Sequence, residues 1–266
     1  MSKWRREIRS GPFVEVCLYS LPDFRDTDRS RAEKRKHTTA AQKALNLKSA
    51  TKRLARILAC NFGRRDLFIT LTYDDEHLPG SIDRAKENVR RFISQLRQLR
   101  KDAGQILKYV YTTEGLHGEH RYHHHIVLNA VSREDLELIR FLWQQGSADV
   151  KRIHKCHFAK WEIPFPDCWK YPNYAGVAGY LTKEKAEDRP NGAQAWTPSR
   201  NLERPAIQSI RVPDDMTIET PPGAIEIDRR EAKNIYSSFR YLEYIEEERK
   251  PPQPPGSPAE RLKRAG

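Results

Sequence analysis

The chain has 266 residues, 38% hydrophobic and 32% charged, with a mean hydropathy of −0.82. That is apolar material for one core with extensions, and no run approaches the roughly 18 apolar residues that a membrane span needs. The 48 Lys and Arg against 36 Asp and Glu leave a net charge of +12, a balance that points to a polyanionic partner, nucleic acid first, with solubility as the bland alternative.

The opening Met1-Ser2-Lys3-Trp4-Arg5-Arg6 runs into more charge and not into an apolar segment, so no secretory leader is expected. The four scattered cysteines, Cys17, Cys60, Cys156 and Cys168, form no CxxC pair and fit free thiols in a reducing cytoplasm. Residues 25–53 are dense in Arg and Lys, and Ala41, Leu45, Leu54, Ile57 and Leu58 mark a basic helix over 38–60. Leu67–Tyr73, β-branched and aromatic, reads as a strand ended by Asp74-Asp75 and Pro79-Gly80. From Ser81 to Lys101, Ile82, Ala85, Val89, Phe92, Ile93, Leu96 and Leu99 line one side of a helix. Ile106–Thr113 and Tyr122–Asn129 read as strands joined by a short glycine-bearing connection, hence an antiparallel hairpin.

Ser132 is the expected cap of a further helix, with Asp135 three residues on as a capping-box variant and Leu136, Ile139, Leu142 and Trp143 inside. Residues 147–163 suggest one or two strands, 174–187 a helix despite Gly176 and Gly179, and 206–212 a late strand. Tyr236, Phe239, Leu242 and Tyr244 suggest a helix over 235–245, and from Lys250 the tail PPQPPGSPAE is expected to be extended and disordered. The corresponding division is a basic, partly helical extension over 1–61, a main domain over 62–249 and a Pro-rich tail over 250–266.

Tyr122-His123-His124-His125 opens the third strand with three imidazoles in a row. Side chains alternate along a strand, so His123 and His125 share one face while His124 joins Tyr122, Ile126 and Leu128 on the other. Two imidazoles two residues apart can converge on one divalent ion, though such a pair is often incidental. Glu114 ends the preceding strand, and the hairpin returns its carboxylate to the pair. Two histidines and a carboxylate with open positions make a site for Mg, Mn or a softer metal that still admits a substrate; the bland reading of Glu114 is a turn carboxylate paired with Arg121. Downstream, Tyr180-Leu181-Thr182-Lys183 places a phenol and an ammonium at i and i+3, neighbours on a helix face. A phenol attacks poorly at neutral pH, and a close ammonium and a metal-polarised phosphorus would change that.

The order FITLTY, HHHIVLN, YLTK resembles the three motifs of HUH-superfamily rolling-circle replication initiators, the single-tyrosine Rep type of plasmids and small single-stranded DNA phages, over about residues 66–190. The resemblance implies an α+β fold whose central antiparallel sheet has about five strands, flanking helices, and the two histidines on a middle strand. It assigns Glu114, His123 and His125 to the metal, Tyr180 to nucleophilic attack on DNA and Lys183 to its helper. The implied activity is metal-dependent endonuclease and strand transfer on single-stranded or hairpin origin DNA, in the cytoplasm of a bacterial host, with the host's helicase and polymerase as partners. His124 departs from the family's bulky apolar residue between the histidines. No G-x-x-x-x-G-K-[ST] is present, so no P-loop is encoded. Rival readings are a tyrosine transposase, a relaxase-like strand transferase, and a non-catalytic basic nucleic-acid binder. Trp161, Trp169 and Tyr171 are possible base-stacking aromatics, and His154, Cys156, His157 and Cys168 a possible zinc site of non-standard spacing.

Overall fold

The computed structural model describes residues 2–21, 39–115, 121–132, 134–153, 171–183, 194–233 and 238–246. Trp161, Trp169, the four residues of the zinc reading, the segment 25–38 and the Pro-rich tail lie outside them. Among the described residues the fold is α+β, with two five-stranded antiparallel sheets and four helices. Backbone packing divides the chain into two compact units, one of Met1–Phe24 with Ala206–Gly266 and one of Arg25–Pro205.

The larger unit is built on β3 (Leu67–Thr72), β4 (Tyr109–Glu114), β5 (His123–Leu128), β6 (Ala148–Arg152) and the two-residue β7 (Thr197–Pro198). Their order is β6-β3-β5-β4-β7, so β5 is the middle strand, as expected. The two-residue period sorts the sheet into two faces. Leu67, Ile69 and Leu71 of β3, Tyr109 and Tyr111 of β4 and Ile126 and Leu128 of β5 enter one buried cluster. It is closed by Val89, Phe92, Ile93 and Leu96 of helix α2 (Ile82–Asp102) and by Ile139 of helix α3 (Asp135–Leu142). The register is strongly specified, because a one-residue slip would turn every one of these side chains to the opposite face.

Helix α2 starts as the sequence suggests, with the Ser81 hydroxyl accepting from the Arg84 N–H at 3.3 Å. The start of α3 differs from expectation. Its cap position is Glu134, which makes no side-chain capping bond, and it is Asp135 that accepts from the backbone N–H of Val131 (2.6 Å) and Ser132 (3.0 Å). The same carboxylate accepts from Arg100 at 2.7 Å inside the core, so a buried ion pair takes the place of the anticipated capping box. On the other side of the unit, helix α1 (Ala40–Asn61) contacts helix α4 (Tyr174–Leu181), and the hydroxyls of Thr51 and Thr182 bond at 2.7 Å.

The smaller unit joins both ends of the chain in the sheet β8-β1-β2-β10-β9. It contains β1 (Ser2–Ser10), β2 (Phe13–Leu21), β8 (Ala206–Val212), β9 (Ile225–Lys233) and β10 (Ser238–Ile245). Two expectations are corrected here. Residues 2–21 form a β-hairpin, so within the first 61 residues the described helix is α1 alone. The expected helix over 235–245 is instead strand β10 over 238–245, paired along both edges with β2 and β9. Leu242 and Tyr244 do reach a core, but as alternate residues of a strand packed with Val14 and Val16.

Candidate active site

The face of the larger sheet opposite the α2 and α3 core carries the predicted residues. Antiparallel pairing sets Glu114 directly across from His123 and Thr112 across from His125 on one side, and Thr72 and Thr70 across from them on the other. Cross-strand partners share a face, so a carboxylate and two imidazoles meet. His123 Nε2 lies 3.1 Å from Glu114 Oε2, and His125 Nε2 lies 3.6 Å from Oε1. One ligand atom from each of Glu114, His123 and His125 falls within 4.8 Å of the others, which makes the trio a group able to hold a metal ion.

Hydrogen bonds fix how the rings present themselves. The Nδ1–H of His123 donates to the Arg121 carbonyl at 2.9 Å, which turns Nε2 toward Glu114. A bare Nε2 lone pair facing a carboxylate oxygen would be repelled, so a proton or a cation must lie between them. Accordingly the hydrogen bond from Glu114 holds the His123 pKa above its ordinary value, against the opposing effect of burial. In His125, Nδ1 bonds to the Thr70 hydroxyl at 3.1 Å and Nε2 is left toward the cluster. Burial first, and the neighbouring His123 and Lys183 next, lower its pKa to about 3, so this imidazole is neutral and ready to ligate. Glu114 Oε1 and His125 Nε2 are buried polar atoms with no hydrogen-bond partner. Such atoms are costly unless satisfied, and a divalent cation on the trio would satisfy both.

Helix α4 delivers the second pair. Asn173 caps it, accepting from the Gly176 N–H at 2.8 Å, and buried Gly176, Ala178 and Gly179 give it a small-residue surface. A side chain at Gly176 would press on the capping Asn173 at 3.0 Å. The helix ends at Leu181, earlier than the expected 187, because Thr182 turns its hydroxyl back to the Ala178 carbonyl (2.8 Å). Lys183 therefore sits just past the helix end and not on its face. It still reaches the tyrosine, with Nζ 4.0 Å from the centre of the Tyr180 ring.

Tyr180 packs edge-on against His125, ring centres 4.8 Å apart, and Phe68 touches both rings at 5.6 and 5.8 Å. Lys183 Nζ also pairs with Glu114 Oε2 at 2.8 Å, an ion pair that sequence reasoning missed. Burial works against this ammonium, but the bond and charge of Glu114, with Tyr180 adding to them, outweigh it and raise the Lys183 pKa. Burial likewise opposes the Glu114 carboxylate, yet its cationic neighbours keep its pKa below the ordinary value. Also missed were Thr70 and the Arg121 carbonyl; polar threonines alternating in FITLT are the one signal that could have pointed to Thr70.

The third histidine has a separate role. His124 is fully buried on the core face, its Nε2 bonded to the Tyr73 hydroxyl (2.8 Å) and its Nδ1 to the Thr113 hydroxyl (2.9 Å). Of the anticipated stacking aromatics, Tyr171 is half-buried.

A sheet with a metal-competent His-His-Glu group beside a tyrosine and a lysine is the framework of a nucleic-acid-processing protein. Residues 66–185, a little under half of the chain, match the family model of the replication-associated protein of the ORF2 type. That match supports a replication-initiator, Rep-like protein. The search of curated proteins and the search of solved structures return no match. No helix among the described residues is long and apolar enough to cross a membrane.

Proposed function

We propose that this chain is a rolling-circle replication initiator that nicks and rejoins single-stranded origin DNA through a covalent link to Tyr180. The observation that carries this reading is the convergence of the Tyr180 ring, the Lys183 ammonium and the Glu114–His123–His125 group on one face of one sheet. The family match over 66–185 supports it from the sequence side.

A divalent cation, Mg or Mn, held by Glu114, His123 and His125 would supply Lewis-acid polarisation of the scissile phosphate. Tyr180 Oη attacks the phosphorus, forming a phenol–phosphate ester as the bond to the 3′ oxygen breaks. The phenolic proton passes, in net, to that oxygen through solvent, leaving a 5′-phosphotyrosyl link and a free 3′-OH. The exchange conserves one phosphodiester, so a 3′-OH can reverse it without outside energy. Lys183 favours the phenolate electrostatically and orients the phosphate. Phe68 packs against Tyr180 and His125 together and so holds the attacking ring in a defined place. A host helicase and polymerase would open the duplex and extend the released hydroxyl.

The test is a denaturing gel of the full chain with labelled single-stranded DNA and Mn. A covalent adduct should form, vanish with EDTA and be absent in Tyr180→Phe. An adduct that persists in Tyr180→Phe would overturn the assignment.

A further inference from the structure

The smaller sheet carries a surface that the nicking chemistry leaves unused. Its pairing registers align Trp4 with Tyr19 and with Arg211, and Tyr19 with Phe239. One row across the sheet therefore reads Arg211, Trp4, Tyr19, Phe239, with Ala232 closing it on β9. The adjacent row on the same face reads Ser209, Arg6, Cys17, Tyr241, Arg230. Neither row contains an acid.

These aromatics face away from the Val14, Val16, Leu242 and Tyr244 cluster that forms the unit's core. Trp4 and Tyr19 are half-buried, Phe239 is 39% exposed, and Arg6, Arg211 and Arg230 are exposed. The Phe239 and Tyr241 rings lie nearly parallel, at 11° and 6.5 Å between centres, and the Arg230 guanidinium is 5.9 Å from the Tyr241 ring. The next row bounds the surface with acids: the Tyr241 hydroxyl donates to Glu15 (2.9 Å) and Glu243 (2.6 Å), and Arg230 pairs with Asp228 at 2.6 Å. That end, with Ile8 and Glu15, is buried. The aromatic and cationic character is thus confined to the other end of the face.

We infer that this face is a stacking platform for single-stranded DNA, with bases on the Trp4–Tyr19–Phe239 row and phosphates toward Arg6, Arg211 and Arg230. Rings on adjacent strands repeat at roughly 5 Å, a spacing that offers successive flat surfaces to unstacked bases. A duplex keeps its bases engaged with one another and cannot use the row. An acidic peptide would satisfy the arginines but leave the rings without flat partners. The platform involves no residue of the nicking site, so the two readings stand or fall separately.

The experiment measures binding of the full chain to a labelled oligodeoxythymidylate by fluorescence anisotropy, without added metal. Arg6→Glu with Arg211→Glu should weaken binding by about tenfold or more and lower the salt slope by about two. Phe239→Ala should weaken it by about tenfold, while Phe239→Trp retains parental affinity. Should Phe239→Ala fail to fold by circular dichroism, Phe239→Leu, apolar but without a ring, carries the stacking arm. Tyr180→Phe should bind as the parent does, which separates this outcome from failure of the nicking reading. Oligouridylate and duplex competitors distinguish RNA and double-stranded DNA as sources of the same phosphate chemistry. Parental affinity in both the arginine pair and the Phe239 variants would overturn the platform, as would indifference to Phe239 alone or a preference for duplex or RNA.

Discussion

His123, His124 and His125 are consecutive in sequence yet live in three electrostatic settings. His123 is held toward its charged form by Glu114, whereas burial drives both His124 and His125 toward neutrality, to a pKa of about 3. Only His125 combines neutrality, burial and an unpartnered nitrogen aimed at the carboxylate. Its orientation depends on Thr70, so Thr70→Val should reduce Mn affinity by about 10–100-fold while leaving the fold intact, measured by isothermal titration calorimetry. His124 is expected to behave in the opposite way. His124→Leu strands the Tyr73 and Thr113 hydroxyls in the core and should cost about 2–4 kcal/mol in urea denaturation, with Mn affinity nearly unchanged. The sequence was informative at this scale because alternation along a strand is a local rule. It sorted the three rings correctly, whereas Lys183's partner Glu114 lies on another element and left no local mark.

At the scale of elements, strands and helices were legible where one periodicity ruled. Helix α2 shows the 3.6-residue stripe and β3 the two-residue one, and both form as expected. Strand β10 was misread because Tyr236, Phe239 and Leu242 happen to recur every three residues. Its alternate pattern, Leu242 and Tyr244 inward against Tyr241 and Glu243, has meaning only once β2 is beside it. Strand β1, SKWRREIRS, reads as a charged run for the same reason: its partners lie on other strands. Close approach also escapes sequence patterns. Gly146 has φ +147°, and a Cβ there would fall 2.3 Å from the Thr72 carbonyl oxygen and 2.6 Å from the Asp74 nitrogen. Gly146→Ala should therefore destabilise the larger unit by about 2–4 kcal/mol, read from the urea midpoint, because both colliding atoms are backbone.

For the molecule as a whole, buried tyrosines set an upper pH limit on stability. Burial, only partly opposed by a hydrogen bond from Asn88, pushes Tyr73 up to about 12, and burial with the charges of Glu243 and Glu15 pushes Tyr241 up as well. In the unfolded chain these phenols ionise near their ordinary 10.0. The raised folded pKa values thus give stability that is complete below pH 10 and is lost as pH rises toward and through the folded pKa values. Denaturation midpoints should fall from pH 10 upward, and Tyr241→Phe should flatten that fall.

The smaller sheet also imposes an order on synthesis. Glu15 and its bonding partner Tyr241 are 226 residues apart, so a ribosome releases the β1–β2 hairpin long before β10 exists to cover it. Val14, Val16 and Leu18 must wait uncovered while residues 25–205, which hold all their own sheet partners, emerge and can close first. A nascent chain stalled ahead of β10 would carry a finished His-His-Glu group and an open, aggregation-prone hairpin edge.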